Sequence, residues 1–266
     1  MKIHDNESVL EDFQAPVEQI VVYSRQDKFN YPYFSDLVDW GTNTFLYQFS
    51  EVPKKDILFQ KGGFENLVYS PRAQPSYHQI FEMGRKQFGD EYVEAVIRDM
   101  EAVGYDVEKI FLSEPKDLNL APRPDGVYAA LSVKEKDLQI SVGNHQLSSG
   151  MARVLSLLIE INFSIRVSDP ACFIIDDVGE GLDFERSIAL IEILIEREKN
   201  SKIQLIMATN DRFVMNKVPL EYWVVLNRKG ANVSGKTFKT HQEEFEEFKY
   251  TGLSNFDFFS LNYKEQ

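Results

Sequence analysis

The most regular pattern of hydrophobic and polar positions lies in the second half of the chain. A helix is predicted to start just after Gly150, because apolar residues recur there at helical spacing. Its inward positions are Val154, Leu155, Leu158 and Ile159. An apolar run at 171–175 follows and predicts a buried strand. A second helical pattern then begins at Phe184, with Phe184, Ile188, Ile191, Leu194 and Ile195 expected to face inward.

Two further strands are predicted at 203–211 and 222–226. Strands that are apolar throughout and alternate with helices are typical of a parallel sheet covered by helices. The predicted fold class is therefore α/β, with a mostly parallel sheet flanked by helices.

Shorter and less regular patterns fill the first half of the chain and predict a mixed β and helical lobe. Extended pieces are expected at Gln19–Tyr23, Thr44–Phe49 and Ile57–Phe59, a helix at Ser76–Val103 with Gly104 as its stop, and two strands around the turn Lys134–Asp137. The turn-rich segment APRPDG (121–126) is the predicted boundary between a first lobe, residues 1–125, and a second lobe, residues 126–266.

Composition limits the possible partners and the compartment. The 266 residues carry a net charge of -13, so a nucleic-acid contact would need a local basic patch or a basic partner. The single cysteine, Cys172, excludes an internal disulfide and is expected in the core. No apolar run approaches the ~18 residues of a membrane span, and no signal peptide is seen at the N-terminus, so no membrane contact and a cytoplasmic location are predicted.

Candidate chemistry lies where the predicted strands end. Asp176 and Asp177 close an apolar strand, at the edge of the sheet where open α/β sheets bind ligands. One carboxylate there can hold Mg²⁺ against phosphate oxygens, and the second can orient or deprotonate water. Asn210 ends the neighbouring strand and could reach a terminal phosphate.

The start of the first helix offers a second candidate site. Ser148, Ser149 and Gly150 supply hydroxyls, free backbone N–H groups and the positive end of the helix dipole to an anion. Structural explanations stay open for each motif: the serines can be an N-cap, the two acids can simply end a strand, and Asp183 can cap a helix. The order and spacing of the motifs together carry the functional interpretation.

These motifs resemble those of ABC-type ATPases. LSSGM (147–151) resembles their signature motif, CFIIDDVGEGLD (172–183) resembles their Walker B strand and D-loop, and IQLIMATND (203–211) lies where the switch-histidine strand belongs. The resemblance is to the SMC/RecF-like branch, the AAA-type ATP-binding proteins of DNA repair and anti-phage systems. It covers about residues 127–260 and implies a P-loop NTPase fold.

The resemblance also implies roles for single residues. Asp176 would order Mg²⁺ and Asp177 would stand in the place of the catalytic glutamate. Ser148–Gly150 would contact the γ-phosphate of ATP across a dimer, and Asp183 would couple the two sites. Asn210 stands in the place of the switch histidine. Two of these depart from the family, since Asp177 is one methylene shorter than glutamate and Asn210 cannot become a cation.

The phosphate-binding loop of the family is missing from its expected place near the N-terminus. Residues 230–237 match its pattern G-x-x-x-x-G-K-[ST], but three polar residues separate Gly230 from the preceding apolar run, and no helical pattern follows Thr237. The string is therefore predicted to be a turn between two late strands, with Lys236 in solvent.

We thus expect an ATPase module that uses ATP and Mg²⁺ but lacks its own phosphate-binding loop. It could be a fragment of a longer protein, which is the preferred explanation, a partner of a subunit that bears the loop, or a degenerate half kept for assembly. As an enzyme it would hydrolyse ATP at a homodimer or heterodimer interface and drive a DNA-directed or anti-phage partner such as a nuclease. The alternative is a scaffold that dimerises and docks an effector without hydrolysis.

Overall fold

The computed structural model describes residues 2–5, 8–12, 32–49, 59–60, 69, 75–114, 128–167 and 170–264. Its α-helices are α1 (Ser35–Thr42), α2 (Tyr77–Val103), α3 (Ser149–Val167), α4 (Phe184–Lys199), α5 (Arg212–Lys217), α6 (Gln242–Lys249) and α7 (Asn255–Lys264). Its strands are β1 (Lys2–Asp5), β2 (Ser8–Asp12), β3 (Thr44–Gln48), β4 (Phe59–Gln60), β5 (Val107–Ser113), β6 (Tyr128–Glu135), β7 (Val142–Gly143), β8 (Ala171–Asp176), β9 (Ile203–Met207), β10 (Val224–Lys229) and β11 (Asn232–Thr237).

A parallel sheet of order β3-β8-β9 confirms the predicted α/β class. Phe45 stacks on Phe173 of the neighbouring strand, with ring centroids 5.2 Å apart, on the face that joins the core. The opposite face is only partly covered. Trp40 of α1 reaches it and donates from Nε1 to Gln204 Oε1 at 3.0 Å, whereas Leu46 is 68% exposed.

The other described strands pair antiparallel. β6 pairs with β4, β5 and β7, while β1–β2 and β10–β11 form separate hairpins. The predicted strand at 222–226 therefore exists, as β10, but belongs to a hairpin rather than to the parallel sheet. The second of the two strands predicted around Lys134–Asp137 is reduced to the two residues of β7.

Helix α3 lies at the centre of the main core. Leu155 and Leu158 have no exposed surface, and the residues around the whole circumference of the helix are buried from Gly150 to Ile159. A helix that is apolar all round must be enclosed by other elements. Here the long helix α2 packs against both α3 and α4, and the sheet side chains Phe173 and Ile175 join the same core.

A buried polar junction joins the three central helices. Asp99 of α2 forms an ion pair with Arg197 of α4 and accepts a hydrogen bond from Asn162 Nδ2 of α3 at 2.7 Å. Asn162 Nδ2 also donates to the Leu158 carbonyl at 3.0 Å, so the buried amide has two acceptors. Because a buried charge is costly unless it is paired, this junction fixes the relative positions of α2, α3 and α4.

The local helix predictions are largely confirmed. Helix α2 starts at a capping box, in which Ser76 and Gln79 bond each other's backbone N–H, and it ends at Gly104 with φ +96. Cys172 is buried, as predicted. Phe184 is an exception, because its side chain is 49% exposed and packs edge-on against Phe213 of α5 instead of entering the core.

Several sequence predictions fall on residues outside those described. They are the strand at Gln19–Tyr23 and the connector at 121–126. The division into lobes 1–125 and 126–266 stays a prediction, and the described core contains side chains from both sides of it, such as Phe45 and Phe173.

Two leucine truncations test the central position of α3. Leu155→Ala removes a fully buried side chain and should lower the free energy of unfolding by about 2–5 kcal/mol. Leu46→Ala is the matched control, because that leucine is exposed, and should cost less than about 1 kcal/mol. Urea denaturation of both variants measures the difference, and equal losses would contradict the described core.

Candidate functional site at the end of the parallel sheet

Three polar side chains lie at the C-terminal edge of the parallel sheet. Gln48 is the last residue of β3 and lies in register with Asp176, the last residue of β8. The Phe49 N–H donates to the Asp176 carbonyl at 2.9 Å, which holds the two strand ends together. Asn210 follows the neighbouring strand β9 by three residues. All three side chains are exposed at this edge.

Asp177 begins a tight loop directly after the strand. Its φ of 54 is left-handed, the one such value among described residues other than glycine. The Glu180 N–H donates to the Asp177 carbonyl at 3.0 Å and closes a turn. The left-handed conformation costs a residue with a β-carbon about 1–2 kcal/mol, so the surrounding contacts must stabilise it.

The end of β9 supplies those contacts. The Val178 N–H donates to the Ala208 carbonyl at 3.0 Å, and Thr209 Oγ1 donates to the Val178 carbonyl at 3.2 Å. Asp211 then caps α5 by accepting from the Phe213 N–H at 2.7 Å. The two strand ends that carry the predicted Asp177 and Asn210 are therefore fixed to each other by backbone bonds.

The first turn of α3 packs against the other end of this loop. A β-carbon at Gly150 would lie 2.9 Å from Leu182 Cδ2 and 3.2 Å from the Gly181 carbonyl oxygen. Arg153, one turn further along, donates from Nη1 to the Glu180 carbonyl at 2.9 Å. The close approach of Gly181 and Leu182 thus requires glycine at position 150. The start of α3 and the loop after Asp176 form one packed unit.

The serines before this helix serve first as its cap. Ser148 Oγ accepts from the Met151 N–H at 3.2 Å, and the Ser148 carbonyl accepts from Ala152. Both Ser148 and Ser149 remain exposed. A hydroxyl that accepts one bond still has its hydrogen to donate, so capping and anion binding are compatible at Ser148.

Asp183 is the N-cap of α4, which is the structural role that the sequence left open for it. Its Oδ1 accepts from the Arg186 N–H at 3.0 Å and its Oδ2 pairs with Arg186 Nη1 at 2.5 Å. The backbone bond from Arg186, followed by the side-chain bond and charge of the same arginine, lowers the pKa of Asp183. Arg186 also donates to the Gly104 carbonyl at 3.2 Å and lies over the Tyr105 ring, which ties the start of α4 to the end of α2.

The oxygen ligands at the sheet edge fit a metal that arrives with phosphate. Mg²⁺ is usually held by one or two carboxylates together with phosphate oxygens and water. Asp176 supplies a carboxylate and Gln48 an amide oxygen at adjacent strand ends. No group of three or more His, Cys, Asp or Glu side chains that could hold a metal alone occurs among the described residues. Asp176 and Gln48 would be the residues to hold Mg²⁺ beside phosphate oxygens.

The string that matches a phosphate-binding loop is a hairpin, as predicted. Gly230, with φ +62, lies in the turn between β10 and β11, and Gly235 to Thr237 form the end of β11. A phosphate-binding loop must lead directly into a helix, and no helix starts at Lys236. The prediction that Lys236 lies in solvent is wrong, because its ammonium is partly buried and pairs with Glu244 Oε1 at 3.0 Å.

Gln48 is the site residue that sequence reasoning missed. The sequence predicted the strand Thr44–Phe49 but gave no sign that it pairs with β8, more than 120 residues later. The available signal was a polar residue closing an apolar strand, the same signal that identified Asp176. A single glutamine in that position is too common to be recognised without the register.

A substitution at Gly181 tests the packing between the loop after Asp176 and the start of α3. Gly181 has φ +76, and a β-carbon there would lie 2.5 Å from Arg153 Nη1, so Gly181→Ala should displace the arginine from the Glu180 carbonyl. Gly230→Ala is the matched control, since it has φ +62 but open space. The control should lose about 1–2 kcal/mol of unfolding free energy from the backbone alone, and Gly181→Ala about 1 kcal/mol more. Equal losses in urea denaturation would mean that Arg153 does not hold the loop.

Comparison with known proteins adds structural likenesses only. No protein-family model and no curated protein matches the sequence. Among solved structures, an SMC head domain of Pyrococcus furiosus, bound to the C-terminal domain of ScpA, matches with 11% identity and a TM-score of 0.44, over 65% of this chain and 41% of that one.

A second match comes from work on the ATP-driven dimerisation and DNA-stimulated activation of SMC ATPases, with 12% identity and a TM-score of 0.43, over 64% of this chain and 97% of that one. A third is CbiO1 of Clostridium perfringens, part of the ABC transporter complex CbiONQ, with 18% identity and a TM-score of 0.39, over 81% of this chain and 64% of that one. These structures are SMC and ABC transporter proteins, the class that the sequence motifs resemble. None of the described helices is long and apolar enough to cross a membrane.

Proposed function

We propose that this chain is an ATP-binding module of the SMC/ABC type that holds Mg²⁺ and ATP at the C-terminal edge of its parallel sheet. One observation carries the proposal: Gln48 and Asp176 end adjacent parallel strands in register. The loop that follows Asp176 is fixed by hydrogen bonds to the end of β9 and by Arg153 of α3. Oxygen ligands on a rigid sheet edge are what a Mg²⁺–phosphate complex requires.

In this proposal each residue has a separate task. Asp176 orders Mg²⁺, with Gln48 beside it, and Asp177 orients the attacking water. Asn210 lies beside the terminal phosphate. The left-handed backbone at Asp177 turns the chain sharply after the strand. The side chains of Asp176 and Asp177 therefore leave the backbone in different directions.

The start of α3 would meet the nucleotide of a second module. Ser148 and Ser149 are exposed, the Ser148 hydroxyl keeps its hydrogen for an anion, and the helix dipole adds a positive end. Asp183 lies on the loop that packs against this helix start and would relay the state of one site to the other. The module is accordingly expected to work as a homodimer or beside a subunit that brings a phosphate-binding loop, within the cytoplasm.

As an enzyme, such a pair would hydrolyse ATP and drive a DNA-directed or anti-phage defence partner such as a nuclease. The SMC ATPases matched above are described as dimerising with ATP and responding to DNA, which agrees with this expectation. The acidic chain, with a net charge of -13, favours a basic partner over direct contact with DNA.

A non-hydrolysing scaffold is the second candidate, and particular residues favour it. Asp177 sets its carboxylate one methylene further from the phosphate than glutamate would, and Asn210 cannot carry a proton to it. Residues 230–237 belong to a hairpin instead of a phosphate-binding loop. The ammonium of Lys236 there pairs with Glu244. Without a phosphate-binding loop, most of the electrostatic stabilisation of phosphoryl transfer is missing.

Titration with a fluorescent ATP analogue tests the location of the site. Asp176→Asn should weaken Mg²⁺-dependent binding at least about tenfold, because charge-assisted contacts contribute roughly 1.5–3 kcal/mol. Lys236→Ala is the control, with binding expected to change less than about twofold and stability by no more than about 1 kcal/mol. Binding that is lost in Lys236→Ala and kept in Asp176→Asn would overturn the proposal, as would an absence of nucleotide binding by the wild type.

Turnover separates the two candidate functions. Wild-type protein with ATP and Mg²⁺ should release phosphate slowly or not at all. Robust turnover that Asp177→Ala abolishes would establish the enzyme, whereas nucleotide-dependent pairing without turnover would establish the scaffold.

A further inference from the structure

The face of the parallel sheet that points away from the core carries an exposed apolar row. Leu46 of β3, Ile174 of β8 and Ile206 of β9 lie side by side in the register of the three strands. Leu46 is 68% exposed, Ile206 is 44% exposed, and Ile174 between them is partly exposed. Because side chains alternate along a strand, Phe173 and Ile175 point to the opposite face, into the core. We call Leu46, Ile174 and Ile206 the bare row.

Helix α1 covers the neighbouring part of the same face. Trp40 donates to Gln204, which lies two residues before Ile206 on β9 and therefore on the same face. Cys172, two residues before Ile174, is only 1% exposed. The sheet is thus shielded near the starts of its strands and exposed at the bare row, which lies nearer the strand ends.

The bare row leads directly to the candidate Mg²⁺ site. Gln48 and Asp176 lie two residues beyond Leu46 and Ile174, so their side chains share the exposed face with the row. An element that lay on the row would therefore reach a ligand at the strand ends. Parallel sheets are normally covered by helices on both faces, and three strands spaced about 4.8 Å apart span about the width of one α-helix.

Electrostatics decides which end of such a helix lies at the site. A helix N-terminus offers free N–H groups and the positive end of the dipole, whereas the C-terminus offers the negative end. Beside Asp176 and the phosphates of the proposed ligand, the N-terminus is the favourable end. A phosphate-binding loop leads directly into a helix N-terminus, but the one match to its pattern in this sequence, residues 230–237, is a hairpin.

We infer that the bare row is the docking surface for an amphipathic helix of a partner subunit, which places its N-terminus and a phosphate-binding loop at Gln48 and Asp176. The inference rests on the proposed function and adds the place where the missing loop is supplied. Apolar side chains on one side of the helix would cover the bare row. Backbone N–H groups of the loop would hold the phosphates, beside the carboxylate that orders Mg²⁺.

A second copy of this chain fits the bare row less well. Neither the row nor α1 contains a basic residue, whereas Asp36 of α1 and Asp176 at the strand ends are exposed acids. Two copies of this face would therefore meet with like charges. A phosphate-binding loop followed by a helix instead brings two positive groups, the lysine of its pattern and the helix N-terminus.

Site-specific photo-crosslinking tests the identity of the occupant. The full chain, produced in its own host cell, carries benzoylphenylalanine at position 46 or 206, or at position 226 as the matched control. Leu226 is also 68% exposed but lies on the β10–β11 hairpin. Positions 46 and 206 should crosslink to the apolar side of a helix that directly follows a G-x-x-x-x-G-K-[ST] loop in another protein, and position 226 should not. Crosslinks to a segment without that loop, to this chain or to nothing would overturn the inference.

Binding to the purified partner supplies a second readout. Leu46→Asp with Ile206→Asp should raise the Kd for that partner at least about tenfold, because two carboxylates would be buried without partners. Val224→Asp with Leu226→Asp on the hairpin is the control and should change the Kd by less than about twofold. All four side chains are exposed, so the variants are expected to fold, which circular dichroism checks. An unchanged Kd for the variant of the bare row would overturn the docking surface.

The inference and the proposed function fail in different ways. If the pair forms through the bare row but its ATP affinity is unchanged by Asp176→Asn, the proposed function fails and the docking surface stands. If ATP binding depends on Asp176 but Leu46→Asp with Ile206→Asp leaves partner binding unchanged, the inference fails and the proposed function stands.

Discussion

The enclosure of helix α3 is the constraint on which the rest of the structure depends. Its side chains are buried on every side, so the sheet, α2 and α4 must close around it. Asp99, Asn162 and Arg197 fix the three helices at the far end from the site. At the near end, Gly150 and Arg153 fix the loop that follows the sheet. One helix thus sets both the core and the geometry of the candidate site.

Chain direction explains why the candidate residues come together. Gly150, in the first turn of α3, packs against Gly181 and Leu182, which follow the end of β8, so the start of the helix and the end of the strand lie at the same end of the fold. Glu180 and Gly181 join the loop after the sheet edge to the first turn of α3, through the bond from Arg153 and the contact with Gly150. The tie from Arg186 to Gly104 extends the same connection to the end of α2.

The sequence was most informative where the determinants are local. Helix α2 carries its own capping box and its own terminal glycine, and α3 carries its apolar residues at helical spacing, so both could be predicted. The pairing of β3 with β8 could not, because nothing in either segment specifies a partner so distant in sequence. Gln48 was missed for that reason.

Other errors have equally physical causes. An apolar run such as 222–226 predicts a strand but does not reveal which strand it pairs with, and β10 uses its buried side for a second, Phe-rich core. The sequence does not reveal the partner of Lys236, because Glu244 lies on a helix whose position relative to the hairpin is a tertiary property. The roles of Ser148, Ser149, Gly150, Asp176, Asp177, Asp183 and Asn210 in binding or catalysis remain predictions, since packing alone does not assign them.

The central claim is that Mg²⁺ and ATP bind at the ends of β3 and β8. The most direct measurement replaces Mg²⁺ with paramagnetic Mn²⁺ in the presence of excess ATP and maps the broadening of backbone amide NMR signals. The account predicts selective broadening at residues 48–49, 176–180 and 208–210, with the hairpin 229–237 unaffected and the effect lost in Asp176→Asn. Broadening centred on Lys236, with the signals after Asp176 unchanged, would contradict it.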